Sequence, residues 1–101
     1  MKASNVEQLF QKGLAYHQNG YFNDALKAYY QILEINPKHF DALQLTATIF
    51  LQCKKYSEAL NFFKSALKIK SNHVPALINF GNLQFELEHY DEALKAYDKA
   101  I

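Results

Sequence analysis

The sequence predicts an all-α protein built as a stack of antiparallel helix pairs. Three observations carry that prediction. Apolar residues recur at helical spacing in most segments, as in Leu26, Tyr29, Ile32 and Leu33. Nearly the same stretch is written three times in one register: GYFNDALKAYYQILEINP from Gly20, KYSEALNFFKSALKIKS from Lys55 and EHYDEALKAYDKAI from Glu88. The breaks between helical segments also fall at regular intervals, and no low-complexity linker separates them.

Lining up Val6–His39, Phe40–His73 and Val74–Ile101 gives columns that recur every 34 residues. Leu9, Leu43 and Leu77 share one column, and Phe22, Tyr56 and Tyr90 another. Ala25, Ala59 and Ala93 form a third; beside them stand Leu26, Leu60 and Leu94, then Tyr29, Phe63 and Tyr97. Gly13, Ala47 and Gly81 repeat on the preceding helix of each unit. Two helices joined by a few residues approach to roughly 8–10 Å only where side chains are small. The small columns therefore predict the crossing points of each pair, with the aromatic columns filling the space beside them.

Each unit divides into helices A and B. Ser4 with Glu7 reads as a capping box, which starts the first A helix near Asn5. Asn19-Gly20 reads as its end, since glycine takes the left-handed conformation of a helix C-terminus freely. Helix B is expected from a cap at Asn23 to the Asn36-Pro37 break. Ser57 and Asp91 are the corresponding expected caps in the second and third units.

The 34-residue period, two-helix unit and column order resemble the tetratricopeptide repeat (TPR) family. The family motif is matched by Leu9, Gly13, Tyr16, Ala25, Tyr29 and Pro37 in the first unit. It is matched by Leu43, Ala47, Phe50, Ala59, Phe63 and Ala66 in the second, and by Leu77, Gly81, Ala93, Tyr97 and Ala100 in the third. The resemblance implies a right-handed superhelical solenoid (an alpha-alpha superhelix): an N-terminal cap over residues 1–5, then repeats 6–39, 40–73 and a truncated 74–101. Several positions depart from the family pattern. Lys12 and Thr46 stand where the family often has Leu, Ser71 replaces a closing Pro, and Pro75 opens the next helix, where it is tolerated. Gln84 replaces a usual Tyr, with Phe85 expected to take over its packing. Lys54 and Glu88 hold the turn position that is Gly20 in the first unit.

Composition narrows the function classes. Eleven lysines against ten Asp and Glu give a formal charge of +1, and there is no Arg, so nucleic acid and anionic membranes find no electrostatic case. No segment approaches the apolar length of a membrane span, and MKASNVEQLF does not read as a signal peptide. With one cysteine, Cys53, no internal disulfide forms, and a cytoplasmic protein is the expectation. Cys53 itself is expected to be a half-buried structural thiol. The four histidines, His17, His39, His73 and His89, are too far apart to ligate one metal and read as surface residues. Glu86, Glu88, Asp91 and Glu92 read as a solvated acidic patch at a turn. No phosphate loop, zinc spacing or nucleophile elbow occurs, so no catalytic residue, metal or cofactor is expected within this segment.

The resemblance implies that the A helices line a concave surface. Its register points Glu7, Phe10, Leu14 and His17 inward from the first repeat. Gln44, Leu45, Thr48 and Leu51 follow from the second, and Ile78, Asn79, Asn82 and Phe85 from the third. Apolar side chains there read either as a cradle for a peptide or protein segment, or as packing within the A-helix layer. Chaperone-docking members of the family hold a terminal carboxylate with Lys, Asn and Arg; the matching positions here are Phe10, Leu14, Leu45, Pro75 and Asn79, none of them basic. The carboxylate clamp is therefore rejected. The expected function is a protein–protein interaction scaffold. The alternative is the substrate-recognition arm of a larger enzyme, such as a glycosyltransferase similar to the O-linked N-acetylglucosamine transferases. The third unit stops six residues short and lacks a polar closing helix, leaving Leu94, Tyr97 and Ile101 as an uncovered apolar stripe. A trimmed array, and a homo-oligomer formed through that stripe, are further expectations.

Overall fold

A computed structural model describes the backbone of residues 2–101 and the side chains of residues 5–101. It contains six helices: α1 (Lys2–Gln18), α2 (Phe22–Ile35), α3 (Phe40–Gln52), α4 (Tyr56–Ile69), α5 (Val74–Glu86) and α6 (Tyr90–Ala100). They form three antiparallel pairs, α1 with α2, α3 with α4 and α5 with α6, stacked so that α2 meets α3, α4 meets α5, and α3 meets α5. The body is elongated, 44 × 24 × 20 Å, as a stack of pairs requires. No strand occurs among the described residues.

The turn inside each pair is one device used three times. The amide of Gly20 donates to the His17 carbonyl (3.1 Å) and that of Tyr21 to Tyr16 (2.8 Å). Lys54 and Lys55 repeat this pattern onto Leu51 and Phe50, and Glu88 and His89 onto Phe85 and Gln84. These paired bonds are the Schellman closure of a helix, which puts the residue after the cap in the left-handed region. Gly20 sits there at φ +79°, and Lys54 and Glu88 do so at +62° and +63°, where a side chain is strained.

Because this closure runs straight into the next helix, the B helices begin at Phe22, Tyr56 and Tyr90, and none has a side-chain cap. The expected caps Asn23, Ser57 and Asp91 lie already inside the first turn, so those assignments are corrected. Asp91 still sits well there, because the positive end of the helix dipole favours acidic side chains. The first helix runs from Lys2, ahead of the expected start at Asn5, so Ser4 is a helical residue; its side chain lies outside the described residues. The caps that do form are on the A helices: His39 Nδ1 accepts from the Ala42 amide (3.1 Å) and His73 Nδ1 from the Ala76 amide (3.2 Å).

The predicted small-against-large packing is present. A Cβ on Gly13 would lie 2.9 Å from Tyr29 Cδ1, and one on Gly81 2.6 Å from Tyr97 Cε1. Glycine thus leaves the room that each tyrosine ring occupies against the A helix. Ala25, Tyr29, Ala47, Ala59 and Phe63 show no exposed surface. Successive pairs are joined by Ile49 and Leu83, both fully buried, and by ring contacts of Phe63 with Phe80 (6.2 Å) and of Phe62 with Tyr30 (6.3 Å), while Phe62 also stacks on Phe50 (5.7 Å) within its own pair.

Candidate functional site

The A helices lie side by side, as two polar links between them show. His17 Nε2 donates to Gln52 Oε1 (2.8 Å), joining α1 to α3, and Asn79 Nδ2 donates to Thr48 Oγ1 (3.5 Å), joining α3 to α5. Thr48 also donates to the Gln44 carbonyl (2.8 Å). These links bring together residues of neighbouring A helices, and the residues predicted from register divide into two groups.

The first group is held by packing. Phe10 is half-buried, 6.3 Å from the Tyr29 ring and 5.8 Å from His39, so it belongs largely to the first core cluster. Leu45 packs on the same cluster and Leu51 on the second, while Leu14 is half-buried. Gln44 is 8% exposed, enclosed by the helix layer and closed to any groove ligand. His17 is tied to Gln52 and stands edge-on to Phe22 at 5.8 Å.

The second group is free, and it lies on α5. Ile78 is 43% and Phe85 56% exposed, large apolar side chains with no covering element. Phe85 stands edge-on to the exposed Tyr90 (5.2 Å). It does not take over the packing of Gln84, which is itself buried and accepts from His89 Nδ1 (2.8 Å). Asn82 is exposed and accepts from the Tyr97 hydroxyl (2.5 Å). Between the C-terminal ends of α3 and α5 lies an open depression of about 390 Å³. It is lined by Leu51, Asn82 and Phe85 together with Gln52, Lys54, Tyr56, Glu86 and Tyr97. Reading only the A-helix register misses the last five; Tyr56 and Tyr97 come from B helices, and their own columns in the repeat are the signal that could have found them.

Among the described residues, no three of His, Cys, Asp and Glu stand close enough to hold a metal ion. Cys53 is exposed at the end of α3, not half-buried, because the turn carries it away from the α3–α4 contact. His39 and His73 are half-buried helix caps, not surface histidines. The four acidic residues at the last turn are exposed as expected. Of the positions matching a carboxylate clamp, Phe10, Leu14, Leu45 and Asn79 are half-buried and Pro75 is exposed at the start of α5.

Stacked antiparallel pairs closed by identical turns, with glycine under an aromatic ring, define a tetratricopeptide-repeat solenoid. Residues 18–100 match the family model described as anaphase-promoting complex, cyclosome, subunit 3, and the chain belongs to that family of repeat proteins. No curated protein matches the chain. Among solved structures it is similar to the first TPR of Spaghetti (RPAP3) bound to the HSP90 peptide SRMEEVD: 22% identity, TM-score 0.90, covering 96% of this chain and 77% of that one. It is similar to the TPR2B domain of yeast Sti1 in its pHsp70 complex, at 23% identity and TM-score 0.89, covering 96% of this chain and 78% of that one. It also overlays on the Thermobaculum terrenum O-GlcNAc transferase, at 18% identity and TM-score 0.93; there it covers 97% of this chain but only 19% of that one.

Proposed function

We propose that this chain is a peptide- or protein-binding scaffold whose ligand lies on the concave A-helix face, anchored at the α3–α5 end. The observation that carries the reading is the exposure of Ile78 and Phe85 beside the Leu51–Asn82 depression. Exposed apolar side chains grouped next to a concavity with a few polar groups are what a groove for an extended or helical segment requires. The peptide complexes of the similar TPR domains support the same class of activity. The ligand differs from theirs in chemistry: the clamp positions Phe10, Leu14, Leu45, Pro75 and Asn79 offer an acidic C-terminus no cation, the one lysine of the depression, Lys54, stands with Glu86 in its lining, and an apolar anchor is favoured.

Selection from a random peptide display library on the 101-residue chain, followed by amide-shift mapping, tests this. Enriched peptides should carry an apolar or aromatic residue, shift the amides around Leu51, Asn82 and Phe85, and lose affinity on Phe85→Ala. Shifts confined to α2, α4 and α6 would overturn the groove assignment. The fold likeness to the O-GlcNAc transferase repeats supports a second reading, in which these residues present protein substrates to a catalytic domain elsewhere in a longer chain. A gene that encodes only repeats would remove it. Self-association through Leu94, 60% exposed, and Tyr97 is checked by light scattering over a concentration series.

A further inference from the structure

The four histidines make two opposite kinds of hydrogen bond. His17 and His89 each face a glutamine side-chain oxygen, so the ring donates, and a protonated ring donates equally well. His39 and His73 do the reverse. Each accepts an amide through Nδ1, at the first turn of α3 and of α5, and a protonated imidazole has no lone pair there. We propose that His39 and His73 form a paired acid-sensitive lock on the two joints between repeats, released when their rings are protonated.

Both residues occupy one register position, 34 apart, at the start of the helix that opens the next repeat. Protonation there removes the cap and also sets a positive charge at the positive end of a helix dipole. Asp41 in the first turn of α3 opposes that charge at His39, whereas the first turn of α5 holds no acidic residue beside His73. From the neighbouring A helix each ring meets an aromatic side chain, Phe10 at 5.8 Å for His39 and Phe40 at 4.8 Å for His73. Lys38 and Asp41 flank His39 in the chain, and the Nζ of Lys70 lies 4.9 Å over the Phe40 ring that His73 contacts. Neither histidine forms an ion pair; among the described residues the one salt bridge is Lys95–Glu92. The unfolded chain takes up the same protons without losing a bond, so stability falls as pH falls.

Urea unfolding of the 101-residue chain at pH 7.5 and pH 5.0 tests the lock. A helix cap changes the folding equilibrium by roughly fivefold, so two caps make the wild-type constant fall about 25-fold over this range. The double variant His39→Asn/His73→Asn keeps a capping oxygen that does not titrate, and most of that fall should vanish. The double variant His17→Gln/His89→Gln should keep it. Equal falls in the wild type and in His39→Asn/His73→Asn, or no fall in the wild type, would overturn the proposal. Should the asparagine variant fail to fold, wild-type amide spectra decide: the Ala42 and Ala76 resonances should titrate together between pH 7.5 and 5.0, and flat curves would refute the lock.

Discussion

Tyr29 has no exposed surface, and its hydroxyl is buried without a hydrogen-bond partner. The reason lies one helix away: the repeat position that offers Asn82 to the Tyr97 hydroxyl is Leu14 in the first repeat. At the same column the second repeat uses Phe63, which has no hydroxyl to satisfy. Tyr29→Phe should therefore stabilise the protein by about 1 kcal/mol, read as a higher urea midpoint, because an orphaned buried donor costs about 1–3 kcal/mol. Tyr29→Ala and Phe63→Ala should each cost about 3–5 kcal/mol as core truncations. Burial pushes the Tyr29 hydroxyl up to about 12 from its usual 10. The native state thus holds a proton that the unfolded chain releases, and stability present below pH 10 is lost as pH rises toward about 12. Tyr29→Phe should flatten that alkaline loss in a pH series of melting curves.

At the scale of the element, the three A–B turns share one hydrogen-bond pattern but not one residue. Lys54 and Glu88 hold left-handed backbone that costs a side chain about 1–2 kcal/mol, against the 0.5–1 kcal/mol by which glycine loosens the unfolded chain. Lys54→Gly and Glu88→Gly should each raise stability by about 0.5–1 kcal/mol, while Gly20→Ala should lower it by about 1 kcal/mol; denaturant midpoints read all three. Asn23→Ala and Ser57→Ala should change stability by less than about 0.5 kcal/mol, since neither side chain caps its helix. A loss near 1 kcal/mol in either would restore the capping role expected from composition.

Across the whole molecule, helices meet chiefly their neighbours in the stack, so the two joints carry the cohesion of the solenoid and the A-helix surface inherits its shape from them. That surface is uneven. Phe10→Ala should lower the melting temperature, because the ring packs on Tyr29 and His39. Phe85→Ala and Ile78→Ala should leave it nearly unchanged while weakening a groove ligand about tenfold or more. Calorimetry and peptide titration on the same three variants separate the roles. If Phe85→Ala melted as early as Phe10→Ala, the free group on α5 would have to be read as core.

The 34-residue period, helix pairing and small-against-aromatic packing were legible from the sequence alone, because local periodicity and side-chain volume determine them. Tertiary structure decided what depends on neighbours from other repeats. It enclosed Gln44 and most of Phe10, left Phe85 exposed and Gln84 buried, and brought Tyr56 and Tyr97 to the depression between α3 and α5. It also turned His39 and His73 into caps in place of Asn23 and Ser57, since a cap is defined by backbone geometry over two residues, finer than hydrophobic spacing resolves. Register says which way a side chain points along its own helix. How far the next pair covers it is set by the stacking of one repeat on another.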